Sequence, residues 1–168
     1  MSRWVVDTCV IIDVLCGDGA FSAESADALD AKRDDGLIVA PMTYVELAPS
    51  FGGDVHEQDV VLAALGIAVD FCGNKKDTTL EAHKAWHEYV QRKRTGAVAR
   101  RPIADVLIGA YAMQNGGLIT RNEADFRSLY PNLTIFNPDS SSTLWRKESI
   151  SNRKTEMKGK SDGTVKRS

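Results

Sequence analysis

Short, mostly apolar runs at 4–6, 37–40, 67–71, 118–120 and 133–136 predict five strands. Between them the apolar residues fall at helical spacing. The stretch 8–15 continues from the first strand as a short helix. Ala26 and Leu29 give a weak helical face over 22–34, which Gly36 ends. Pro41 closes the second strand, and a helix is expected from Thr43. Val55, Val60, Leu62 and Leu65 predict a helix over 54–65, stopped by Gly66. A long helix over 77–94 carries Leu80, His83, Trp86, His87 and Val90 on one face. Pro102 suits the first turn of the next helix, whose stripe is Ile103, Val106, Leu107, Ala110 and Met113. Gly116 and Gly117 end it, and 122–129 is a last short helix. No segment repeats another. Strands alternating with helices imply an α/β domain with a mostly parallel sheet flanked by helices.

Length adds one constraint: 168 residues suffice for a single domain with a substantial core. The domain is expected over 1–141. From about residue 142 the chain turns polar and basic, with Trp145 among few apolar anchors, and a flexible tail is expected. Charge divides the same way. Residues 146–168 hold 8 Lys/Arg against 3 Asp/Glu, whereas the rest holds 13 against 20. An acidic body with a basic tail suggests a polyanionic partner, or a tail that serves solubility. Asp7 and Asp13 interrupt the first apolar segment, so it is not a secretion signal, and no run of about 18 apolar residues could span a membrane. Three cysteines (Cys9, Cys16 and Cys72) without a CxxC fit a reducing cytoplasm.

Candidate chemistry starts from Asp7, an acid inside the apolar run VVDTCVIID. In parallel sheets, ligands bind beyond the carboxyl ends of the strands. Asp7 closes the first strand, Glu46 follows the second and Asp125 the fourth. Asp105 lies in the first turn of its helix, and Gly109 and Ala112 would let that helix approach the sheet. Four carboxylates at one edge repel one another unless a cation joins them, and all-oxygen ligation favours Mg²⁺ or Mn²⁺. Such an ion can activate water for attack on a phosphodiester. Each acid also has a purely structural reading. Asp7 could cap the following helix; Thr43 to Glu46 matches a capping box; Asp105 could complement a helix dipole; and Asn122 with Asp125 resembles a cap.

The segments VVDTCVIID (5–13), VAPMTYVELA (39–48), RPIADVLIGAYAMQNGGLIT (101–120) and TRNEADF (120–126) together resemble a PIN domain of the VapC toxin-ribonuclease type. The resemblance implies a PIN-like three-layer sandwich. It implies catalytic Asp7, Glu46, Asp105 and Asp125, with metal held at Asp7, Asp105 and Asp125, and support from Thr8, Thr120 and Asn122. It also implies RNA cleavage with Mg²⁺ or Mn²⁺, a VapB-like antitoxin and a homodimer. Cys9 departs from the family's Ser or Asn, which implies a missing polar contact at the site.

Arg92, Lys93, Arg94, Arg100 and Arg101 are candidate RNA phosphate contacts; the first three also suit a helix C-terminus. His83 and His87 lack the Glu of a HExxH zinc motif and read as packing or interface residues. Two rival functions remain open. One is a phosphatase using Asp7 as nucleophile, although Cys9 stands where a second Asp would help. The other is an inactive PIN-like module that binds RNA or an antitoxin.

Overall fold

A computed structural model describes residues 3–17, 19–71, 75–94 and 103–139. In chain order the elements are β1 (Trp4–Val6), α1 (Thr8–Cys16), α2 (Ser22–Lys32), β2 (Leu37–Val39), α3 (Pro41–Glu46), α4 (Val55–Ala64), β3 (Ile67–Val69), α5 (Lys76–Arg94), α6 (Ile103–Met113), β4 (Gly117–Ile119), α7 (Glu123–Leu129) and β5 (Ile135–Phe136). Single 3₁₀ turns follow α2 and α3. Met1–Pro138 forms one compact unit and Asp139–Ser168 a second. The expected boundary at 141 and the tail from 142 fall outside the described residues, as do Cys72, Arg100, Arg101 and Trp145.

The five strands are all parallel, in the order β3-β2-β1-β4-β5. Alternation along each strand splits the core in two. Val5, Ile38 and Leu118 face one side, against Ala82, Ala85 and Tyr89 of α5, the centre of α6, and Phe126 of α7. Val6, Val39 and Ile119 face the other, against Val10 and Ile11 of α1, Leu29 of α2 and Leu62 of α4. The result is the expected PIN-like three-layer α/β sandwich. Among the described residues no helix is long and apolar enough to cross a membrane.

Three expectations change. Pro41 does not end β2; it opens α3 at the first helical position, where its missing N–H costs nothing. Thr43 is therefore inside the helix, with Ala40 as N-cap, and no capping box forms at Glu46. In α5 the buried face is Thr78, Ala82, Ala85 and Tyr89; Leu80 is 49% exposed, and His83 and His87 are exposed. Gly109 meets α7 and the residue after it rather than the sheet: a Cβ there would strike the ring of Tyr130 and crowd that of Phe126.

Candidate active site

The strand order reverses at β1, whose neighbours β2 and β4 connect in opposite directions. A crevice beyond the carboxyl ends of β1 and β4 is the expected ligand position in such a sheet. Asp7 follows β1 and Thr120 follows β4, and the two side chains meet at that edge. Thr120 Oγ1 donates to Asp7 Oδ2 at 2.6 Å. Cys9 Sγ donates to the same oxygen at 3.2 Å, and the Thr8 backbone N–H donates to Oδ1 at 2.8 Å. Asp7 is thus the N-cap of α1 as well as the centre of a polar group. The capping reading of this residue therefore holds.

Asp7 is only 5% exposed. Burial raises its carboxyl above the ordinary range; the hydrogen bonds from Thr120, Cys9 and the Thr8 N–H, and the charge of Arg121, work against that rise. The Cys9 thiol, buried and beside Asp7, is pushed up to about 12, so it is a neutral donor at pH 7. The polar contact implied to be missing at Cys9 is therefore present, made by sulfur.

Thr8 joins a second acid to this group. Its hydroxyl donates to Glu46 Oε2 at 2.6 Å while its N–H holds Asp7. Glu46 is the last residue of α3 and is half-buried, more open than Asp7. Asp105 and Asp125 each lie in the first turn of a helix, α6 and α7, and both are half-buried. α6 leads into the amino end of β4, and α7 leaves its carboxyl end. Both acids accordingly start from the Asp7 edge of the sheet. Asn122 is exposed at the N-cap of α7 without a side-chain capping bond; its backbone N–H reaches Thr120 Oγ1 at 3.0 Å.

Among the described residues no group of three or more His, Cys, Asp or Glu side chains is arranged to hold a metal ion. The structure gathers Asp7 and Glu46 through Thr8, and places Asp105 and Asp125 in the first turns of α6 and α7 at the same edge. In donor type the set fits a hard divalent cation, since every carboxylate is an oxygen ligand and the buried Asp7 would gain from a positive neighbour.

Of the candidate RNA contacts, Arg92 is engaged within the fold, where Nη1 donates to Ser128 O at 2.8 Å and ties α5 to α7. Lys93 and Arg94 are exposed.

One cluster escaped the reading of the sequence. Arg121, directly after Thr120, makes a two-pronged ion pair with Asp13 of α1: Nε to Oδ2 at 2.6 Å and Nη2 to Oδ1 at 2.8 Å. Ser25 of α2 donates to the same carboxylate at 2.8 Å, and the guanidinium stacks on Phe21 at 4.3 Å from the ring centre. The signal available was a second acid, Asp13, inside the apolar helix α1.

No protein-family model and no curated protein matches the sequence. Solved structures do match. The crystal structure of VapBC2 from Rickettsia felis, bound to a DNA fragment from its promoter, superposes with a TM-score of 0.58 at 15% identity, over 80% of this chain and 98% of that one. The 2.2 Å structure of VapBC-1 from nontypeable Haemophilus influenzae gives 0.57 at 20% identity, over 82% and 98%. At these identities the likeness establishes the fold.

Proposed function

We propose that the protein is a metal-dependent endoribonuclease, the toxin of a VapBC-type pair, held in check by a VapB-like antitoxin. The observation that carries this reading is the buried Asp7 at the reversal point of the sheet, with Glu46 tied to it through Thr8. A cell would gain little from so costly a carboxylate unless a cation or a reacting group completed it. The fold shared with two VapBC structures supports the same reading.

Asp7, Asp105 and Asp125 would hold Mg²⁺ or Mn²⁺, which when bound supplies an activated water and neutralises charge on the phosphate. Asp7 is held in place by Thr120, Cys9 and the Thr8 N–H. The more open Glu46, steadied by the Thr8 hydroxyl, orients the water and takes its proton as oxygen attacks phosphorus and the ribose oxygen leaves. Lys93 and Arg94 are suited to RNA phosphates by their exposure, and the chain would work in the cytoplasm as a homodimer. The three donors on Asp7 and its burial weigh against its use as a phosphatase nucleophile.

The test is cleavage of a small-RNA pool by antitoxin-free protein with Mg²⁺, Mn²⁺ or EDTA, beside an Asp7→Asn, Asp105→Asn double variant. Discrete fragments that need the metal and disappear in the variant are expected. Fragments that persist in the variant, or none under any metal, would overturn the proposal and favour a binding module.

A further inference from the structure

We propose that Asp13 and Arg121 are positioning residues: their ion pair clamps the turn after β4 onto α1 and so keeps Thr120 on Asp7. The proposal rests on the nuclease reading for its kinetic consequences, but the clamp itself is a feature of the chain alone.

The geometry runs through three consecutive residues. Thr120 donates to Asp7, Arg121 grips Asp13, and the Asn122 N–H binds back to the Thr120 hydroxyl. The turn is short, so the Arg121 side chain fixes the register of its neighbours. Arg121 is a poor candidate for a loose surface ion pair. Its fork meets both oxygens of Asp13, the geometry in which arginine gives direction as well as attraction. The side chains are 23% and 11% exposed. Ser25, fully buried, orients the Asp13 carboxylate, and Phe21 covers a face of the guanidinium.

A lysine could replace the charge of Arg121 but not its fork. That separates positioning from general electrostatics. Groups that orient metal-binding side chains typically change affinity or activity by about 10- to 100-fold when removed.

The experiment compares wild type, Asp13→Asn, Arg121→Lys and the double variant, each checked for a melting transition well above the assay temperature. Three quantities are read: kcat and KM on the mapped RNA, Mn²⁺ affinity by electron paramagnetic resonance, and the alkylation rate of Cys9 in metal-free protein. Each single variant is expected to lower kcat and weaken Mn²⁺ binding by roughly tenfold or more, with KM nearly unchanged. Cys9 should alkylate faster, and the double variant should be no worse than the singles because one clamp is lost only once. Wild-type behaviour of Arg121→Lys would overturn the proposal, as would additive losses or a change confined to KM. Should wild type neither cleave RNA nor bind Mn²⁺, the nuclease reading fails on its own. The clamp is then judged by Cys9, whose unchanged alkylation in Asp13→Asn would reject it.

Discussion

Asp7 shows what a single residue can cost a fold that keeps it. Its carboxyl is raised by burial, so the folded chain holds the proton more tightly than the unfolded chain does. Stability linked to this group is therefore complete below the ordinary carboxyl range and is lost as pH rises through the folded value. In the metal-free protein that loss grows as pH rises above the ordinary carboxyl range. Asp7→Asn keeps an oxygen to cap α1 and removes the charge, so it should melt higher than wild type in EDTA at neutral pH. The gap should shrink as pH falls toward about 3.9. Mn²⁺ should raise the melting temperature of wild type and leave the variant unmoved. Thermal melts across that pH range check the sign; a gap independent of pH would remove desolvation of Asp7 as its cause.

Among the elements, α6 is the one that both layers and site depend on. Ala104, Val106, Ile108, Ala110, Tyr111 and Ala112 are all buried, so it is apolar around most of its circumference, as a central helix must be. Gly109 lets it meet Tyr130, whose hydroxyl binds the Val106 carbonyl one turn back. Gly109→Ala gains up to about 1 kcal/mol of helix propensity. Against this, the new methyl collides with a ring that is 3% exposed and cannot swing out. Overpacking of this kind costs about 1–3 kcal/mol. The collision should win, lowering the melting temperature by roughly 2–4 °C per kcal/mol for a chain of this size. In a Tyr130→Ala background the same change should be neutral or stabilising, and a double-mutant cycle in thermal or urea unfolding measures the difference.

The elements also mark how far the sequence could be read. Strands β1 and β4 and the helix stop at Gly36 were legible because apolar runs and glycine act locally. The acids at one sheet edge were legible because parallel topology sends every strand end the same way. The buried face of α5 was not, since Ala82, Ala85 and Thr78 pack by being small while Leu80 and Trp86 dominate the hydrophobic pattern. Glu46 looked like a cap because Thr43 stood three residues ahead, and Pro41 overrode that signal. The Asp13–Arg121 clamp joins residues 108 apart, beyond any periodicity.

At the scale of the whole molecule, charge must be reconciled with function. Residues 1–145 hold 13 Lys/Arg and 20 Asp/Glu, a body that repels a polyanion, while 146–168 hold 8 against 3. If the proposed nuclease function holds, such a body needs attraction from elsewhere, and the tail is the main reserve of excess positive charge. Both core clusters, and every described strand and helix, lie within Met1–Pro138. A chain lacking 142–168 should melt within a few degrees of the full one and retain kcat. Its KM for RNA should rise at low salt, because the counterions once released by tail lysines and arginines no longer drive binding. That term scales with the number of phosphates neutralised, so a plot of log KM against log salt should flatten on truncation, and the two proteins should converge at high salt. If the slope is the same with and without the tail, the attraction resides in the body, and Lys93 and Arg94 at the end of α5 become the residues to replace next.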